Sequence, residues 1–172
     1  MYSETDIDIE KEAALDFVES QNTIKMLSFN LGRETYCIDI KDAKEMLDMS
    51  HITKVPNTPD YIIGAMNVRG EIVTIIDANK LLGLENIAKA KENKIILTDV
   101  IGFLVGLKVD CIQGSIDVPH ESIQPVSGAI EKSLYGCIAG KIKLDKQLLI
   151  MLDIKKLLFI DKLKTLESAT NI

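Results

Sequence analysis

The sequence predicts an all-β fold, a barrel or sandwich with only brief helices, and three observations carry that expectation. Apolar residues recur with period two in roughly ten short runs. Glycine-bearing turns separate several of those runs. Finally, Ile76-Asp77-Ala78-Asn79-Lys80-Leu81-Leu82 returns as Leu152-Asp153-Ile154-Lys155-Lys156-Leu157-Leu158, with Asp, Lys, Leu and Leu in register. An internal echo of this kind favours two related barrels, each running strand, turn, strand, short helix, over one large sheet.

Residues 1–22 form an acidic tail, helical or disordered, in which Ile7, Ile9, Leu15, Phe17 and Val18 alternate with acids. Such a segment holds an amphipathic helix only against a surface that receives its apolar side. From Ile24 the period becomes two: Leu27, Phe29 and Leu31 share a face, Gly32-Arg33-Glu34 turns the chain, and Tyr36, Ile38 and Ile40 share the next face. Over Lys41 to Met49 the spacing of Ala43, Met46 and Leu47 predicts a short helix lying on the barrel. Pro56 and Pro59 enforce an extended loop.

A second hairpin joins Ile62–Val68 to Ile72–Ile76 through Arg69-Gly70, where Gly70 supplies the positive φ of a tight turn and Arg69 stands at the tip. Strands follow over Lys94–Val100, Phe103–Val109, Ile112–Val118, Tyr135–Leu144 and Gln147–Leu152, and a helix begins after Asp153. The glycines Gly64 and Gly70 before the first copy of the echo match Gly136 and Gly140 before the second. These signals divide the chain into a first barrel over about 23–90 and a second over about 91–158, with strand exchange between them allowed, and leave 161–172 as the end of the C-terminal helix and a tail.

With 172 residues the chain suits one domain or two small packed ones. Its net charge of −6, from 20 basic and 26 acidic residues, gives no general support for neutralising phosphates, so no nucleic-acid partner is expected. Cys37, Cys111 and Cys137 are an odd count without a CxxC pair, and read as small core residues in a reducing compartment. The acidic N-terminus lacks the pattern of a secretory signal, and no apolar run spans a bilayer; a cytoplasmic location without membrane insertion is expected.

Catalytic constellations are sparse. Asp77 and Asp153 are equivalent carboxylates in a duplicated β protein, which would suit an aspartic hydrolase sharing one proton between them. Ala78-Asn79 and Ile154-Lys155 follow them, however, where such an enzyme has Thr or Ser and then Gly. Each Asp precedes a Lys-Leu-Leu turn and is better read as a helix N-cap contributing about 1 kcal/mol. His51 and His120 lack metal-ligating neighbours at ligand spacing, and no glycine run opens into a helix as a phosphate loop does. No catalytic residue, metal or cofactor is expected.

The run Val55-Pro56-Asn57-Thr58-Pro59-Asp60-Tyr61-Ile62-Ile63-Gly64-Ala65-Met66-Asn67-Val68-Arg69-Gly70-Glu71-Ile72-Val73-Thr74-Ile75-Ile76-Asp77 resembles the signature of the CheW family. That signature is a Pro-rich loop leading to Gly, an apolar pair, Asn, an apolar residue, Arg, Gly, and a strand ending in Asp. The resemblance extends to Phe29–Ile40, to Gly106-Leu107-Lys108-Val109-Asp110 and to Met151–Leu158, and so covers most of the chain.

The resemblance implies two five-stranded SH3-like β-barrels packed on a shared core, in a non-catalytic chemotaxis adaptor. It implies two partners, the regulatory domain of the histidine kinase CheA and the cytoplasmic tip of chemoreceptors, for a protein monomeric alone that assembles in arrays under the inner membrane. By position, Ala43, Glu45 and Arg69 match family sites of partner contact and signalling. Lys94, Ile95 and Ile96 match a strand that approaches the kinase, where an exposed apolar pair would form the dry centre of an interface. Ile112 and Ser115 match positions near the receptor groove, although Gly114-Ser115 replaces the family's usual acidic and aliphatic residues. Gly70, Asp77 and Asp153 are structural, as turn and caps.

Overall fold

The computed structural model describes residues 4–84, 92–126 and 136–158. The expected tail at 161–172 lies outside the described residues. One helix, α1 (Glu4–Gln21), precedes the β structure, so the acidic N-terminal segment takes the helical form. Its described side chains are all exposed.

The strands are β1 (Thr23–Leu31), β2 (Glu34–Asp39), β3 (Ala43–Asp48), β4 (Ile62–Val68), β5 (Glu71–Asp77), β6 (Lys94–Val100), β7 (Phe103–Val109), β8 (Cys111–Pro119), β9 (Ile123–Gln124), β10 (Ile138–Leu144) and β11 (Gln147–Leu152). A short helix, α2 (Ala78–Leu81), follows β5, and residues 154–158 are helical after β11. The strands form two sheets. A contiguous sheet has the order β3-β6-β7-β5-β4, and a composite sheet has the order β8-β1-β2-β11-β10-β9.

These are the same sheet built twice. β5 runs parallel to β7 with Ile75 beside Gly106, and β11 runs parallel to β2 with Met151 beside Cys37. The register slips between Ile62 and Gly64 in one sheet and between Ile138 and Gly140 in the other. Even the short β9 has its equivalent: Gln124 pairs with Lys141 in the composite sheet, and Thr53 makes a single bridge to Ala65 in the other. This register corrects the glycine correspondence read from the sequence. Gly64 matches Gly140, and the tip Arg69-Gly70 matches Asp145-Lys146.

The sheets exchange strands across the expected division near residue 90. β1 and β2 join β8–β11, while β6 and β7 join β3–β5, so the composite sheet is a circular permutation of the contiguous one. Parallel pairing requires a long crossover, which is what lets distant segments share a sheet.

The expected short helix over Lys41–Met49 is not formed. A 3-10 turn at Ile40–Asp42 leads directly into β3, whose residues alternate half-buried and exposed. Ala43, Met46 and Leu47 fit either period in so short a run, and pairing with β6 decides in favour of the strand.

Each sheet folds over a small core of its own. Met26, Cys37, Val118, Ile142 and Leu149 cluster in the composite sheet, and Met66, Val73, Ile75, Ile95 and Leu97 in the contiguous one. A larger third cluster joins the two, with Leu27, Phe29, Tyr36 and Ile38 from one side and Ile76, Ile96, Leu107 and Val109 from the other. Both capped turns feed it: Leu81 and Leu82 after Asp77, and Leu157 and Leu158 after Asp153. Alternation within β1 and β6 explains how one strand serves two cores, since successive side chains point to opposite faces.

Polar contacts also bind the sheets. The Asp110 carboxylate accepts from the Gly32 backbone N–H at 2.7 Å and from Asn79 Nδ2 at 2.9 Å, tying the β1–β2 turn to α2.

Candidate interaction surfaces

Val68-Arg69-Gly70-Glu71 closes the β4–β5 hairpin with both central residues at positive φ, 52° for Arg69 and 84° for Gly70. This is the backbone of a type I′ turn, whose twist matches that of the flanking strands. Asn67 supports it by accepting the Gly70 N–H on its side chain at 2.9 Å. Glycine adopts the left-handed conformation freely, whereas an arginine there is strained by about 1 kcal/mol. The Arg69 side chain is 77% exposed, and its guanidinium donates to Glu45 Oε1 at 2.5 Å. Glu45 projects from β3 and Arg69 from the tip, so the pair spans a cleft of about 380 Å³ lined also by Lys44, Val68, Glu71, Leu97 and Leu104. Ala43, at the start of β3, is half-buried against the central cluster.

A second groove, of about 220 Å³, lies between the two sheets and is lined by Met46, Leu47, Asp48, Lys94 and Ile112. Lys94 at the head of β6 pairs with Asp48 across the β3–β6 ladder, and that hydrogen bond raises its ammonium pKa. Ile112 sits beside the β1–β8 bulge, half-buried against the central cluster. Ser115 is exposed on β8, while the Gly114 carbonyl accepts from Ser28 Oγ at 3.0 Å. The groove therefore unites Lys94 and Ile112 of the expected set. It adds Met46, Leu47 and Asp48, which became visible only once β3 was a strand.

Ile95 and Ile96 do not form the expected exposed pair, since both have 0% exposure. β6 lies between β3 and β7, so one isoleucine enters the core of its own sheet and the other the central cluster. The apolar surface of the contiguous sheet lies at its other end, where Ile72, Ile101 and Phe103 are 79%, 79% and 66% exposed. Thr74 pairs with Val105 on the parallel β5–β7 ladder, which sets Ile72 beside Phe103. Ile101 occupies the β6–β7 tip at φ 53°, a rare conformation for a β-branched residue.

Asp77 and Asp153 are caps. Asp77 Oδ1 accepts the N–H groups of Asn79 and Lys80 at 3.0 and 3.3 Å, and Oδ2 lies 3.4 Å from Lys108 Nζ. Asp153 Oδ1 accepts from Lys156 N at 3.1 Å. Each also donates its own backbone N–H at 2.8 Å, to the Tyr61 and Cys137 carbonyls respectively. Cys37 and Cys137 are buried, as expected, but Cys111 is only half-buried, with Sγ 3.5 Å from Glu92 Oε2. Burial and that carboxylate raise its pKa. No group of three metal-ligating side chains is present among the described residues. Among them, no helix is long and apolar enough to cross a membrane.

Comparison with known proteins accords with this geometry. The family model described as "CheW-like domain" matches residues 25–160, nearly the whole of the two-sheet body. The chain belongs to the CheW family. A chemotaxis protein CheW from Klebsiella aerogenes is 31% identical over 134 residues, covering 78% of this chain and 81% of its own length. A probable chemotaxis protein CheW from Rhizobium etli is 27% identical over 141 residues, covering 80% and 89%. Among solved structures, the scaffolding protein TtCheW from Thermoanaerobacter tengcongensis superposes with a TM-score of 0.72 at 32% identity, over 78% of this chain and 87% of that one. The two sheets are thus the CheW-like fold, and as a member of the CheW family the chain is a scaffold for chemotaxis and not an enzyme.

Proposed function

We propose that this scaffold couples a chemotaxis histidine kinase of the CheA type to the cytoplasmic tips of chemoreceptors, working in the cytoplasm at receptor arrays. The observation that carries the reading is the Arg69–Glu45 pair. A strained, exposed arginine is aimed across a cleft by a carboxylate from another strand, at two positions that match family sites of partner contact. Its planar fork suits carbonyl and carboxylate groups on a partner. The core has no use for it.

The receptor tip fits the groove between the sheets, where Met46, Leu47 and Ile112 supply apolar contact and Lys94 with Asp48 supplies polar contact. Ser115, exposed beyond that groove, offers a hydroxyl where the family has an aliphatic residue, so this contact is expected to be weaker. The regulatory domain of the kinase fits the exposed Ile72–Ile101–Phe103 end, which supplies the dry centre that Ile95 and Ile96 cannot.

Co-purification with a receptor-tip fragment and with the kinase regulatory domain, each alone, tests the reading, because coupling needs both contacts. Arg69→His is expected to fold normally and to lose kinase activation. Full activation by that variant would remove Arg69 from the site, and failure to bind either fragment would remove the function.

A further inference from the structure

The charge of this chain is not spread over its fold. Residues 1–21 hold Glu4, Asp6, Asp8, Glu10, Glu12, Asp16 and Glu19 against Lys11 alone, which accounts for the full net charge of −6 and leaves the rest of the chain neutral. These residues form α1, a helix of 18 residues whose described side chains are all exposed. Ile7, Ala14 and Leu15 fall on one side of that helix with Lys11 among them, Asp8, Glu10 and Glu12 flank that side, and Ile9 stands opposite. A helix of this length gains little stability from propensity alone and needs a surface to receive its apolar stripe.

A matching surface lies on the composite sheet. Lys141 and Lys143 on β10 share a face with Leu148 on β11, since Lys143 pairs directly with Leu148 and Lys141 with Ile150. Lys146 stands at the turn, beside Asp145. Among the described residues none of these three lysines forms an ion pair, whereas Lys25, Lys44, Arg69, Lys80, Lys94 and Lys108 each do. The hairpin therefore carries three lysines against Asp145, with an exposed leucine among them.

We propose that α1 is a docking arm that seats on the β10–β11 hairpin of a second copy of this chain. Its own hairpin does not receive it, since the described side chains of α1 are all exposed. Asn22 alone separates α1 from β1, and its carbonyl accepts the His120 N–H at 2.9 Å, which ties the root of the helix to the end of β8. In a two-fold pair each copy gives an arm and a hairpin, and the contact closes with two equivalent seats. This departs from the lone monomer that the family resemblance implies, and it involves none of the surfaces assigned to kinase or receptor.

Sedimentation velocity on the full chain tests it through a charge exchange. The native chain is expected to dimerise at about 0.05 M salt and to dissociate, with at least a tenfold weaker constant, at about 0.5 M, because exposed charges are screened. Lys143→Glu with Lys146→Glu gives a monomer, and so does Asp8→Lys with Glu10→Lys and Glu12→Lys. An equal mixture of the two variants recovers the dimer, since each reversed arm then meets a reversed hairpin. A native chain that stays monomeric at every concentration, a dimer indifferent to salt, or a mixture that remains monomeric would each overturn the proposal.

Discussion

The contiguous and composite sheets share strand order, bulge, capped turn and parallel seam, yet differ wherever a side chain leaves the core. Seam packing shows how one backbone tolerates two solutions. In the contiguous sheet Gly106 lies against Ile75 and Ile95, and a Cβ on that glycine would come within 2.5 Å of Ile75 Cδ1. The equivalent place in the composite sheet holds Cys37, beside Met151 and Met26, whose unbranched side chains yield the space that two isoleucines occupy. At the tips no such compensation operates: Arg69-Gly70 answers to Asp145-Lys146, and Ile101 with Phe103 answers to Gly32 with Glu34. Shared backbone features are those that packing dictates, and the divergent tips are those available for partners.

The bulge glycines give the largest expected effect. A Cβ on Gly64 would lie 2.3 Å from the Thr53 carbonyl oxygen, and its φ of 153° lies outside what side chains favour. On Gly140 the nearest atoms are 2.9 and 3.0 Å away, the closer one being Ile123 Cγ2. Gly64→Ala is therefore expected to lose about 4 kcal/mol by denaturant unfolding, and Gly140→Ala about 1–2 kcal/mol. Equal losses would mean that the crossing chain segment at Thr53 can move aside.

Alkaline pH should separate the sheets next. Burial pushes the Cys37 thiol from its ordinary value of 9.0 up to about 12. Burial also raises Tyr36 next to it, with the Glu34 hydrogen bond adding to the shift. A raised acid pKa means that the native state keeps its proton while the unfolded chain releases one. Stability is thus unaffected below pH 9 and falls as pH climbs from about 9 towards 12, by about 4 kcal/mol from the thiol. Cys37→Ala should flatten that fall, though Tyr36 retains part of it. The contiguous sheet has Gly106 in this place and nothing to titrate. Hydrogen exchange at pH 10 should accordingly weaken β1 and β2 before β6 and β7.

The caps differ by less. Asp77→Ala removes a carboxylate that accepts two N–H groups and also leaves the mostly buried Lys108 without its partner, an expected loss of about 2–3 kcal/mol. Asp153→Ala removes a single accepted N–H and should lose about 1 kcal/mol.

Much of this was legible in the residues. Period-two runs placed the strands outside β3 and the two-residue β9, and the recurring Asp-x-x-Lys-Leu-Leu pattern announced both caps and the duplication. What stayed hidden depends on neighbours distant in the chain. Six residues such as Ala43–Asp48 fit helix or strand equally, and only the β6 edge decides between them. The burial of Ile95 and Ile96 follows from β6 being a central strand, which no local pattern states. Nor could the sequence show that Arg69 takes a glycine's conformation, because the Arg-Gly pair is compatible with several turn types. The Arg69–Glu45 pair was half legible, since both residues matched family positions but nothing announced that they touch.

That conformation leads to the smallest and most discriminating expectation. Arg69→Gly relieves the left-handed backbone strain at the tip and removes an exposed ion pair, whose contribution is about 0–1 kcal/mol. The two changes oppose each other, so the variant should be as stable as the native chain or up to about 1 kcal/mol more stable. Asp145→Gly, its counterpart, relieves less, because aspartate tolerates the left-handed region better than arginine does. If Arg69 serves partners, the glycine variant will unfold at the same or higher denaturant concentration and yet fail to support kinase activation, while Asp145→Gly supports it fully. A loss of stability in Arg69→Gly would instead show that the Glu45 pair holds β3 to the hairpin, and would assign the arginine to the fold.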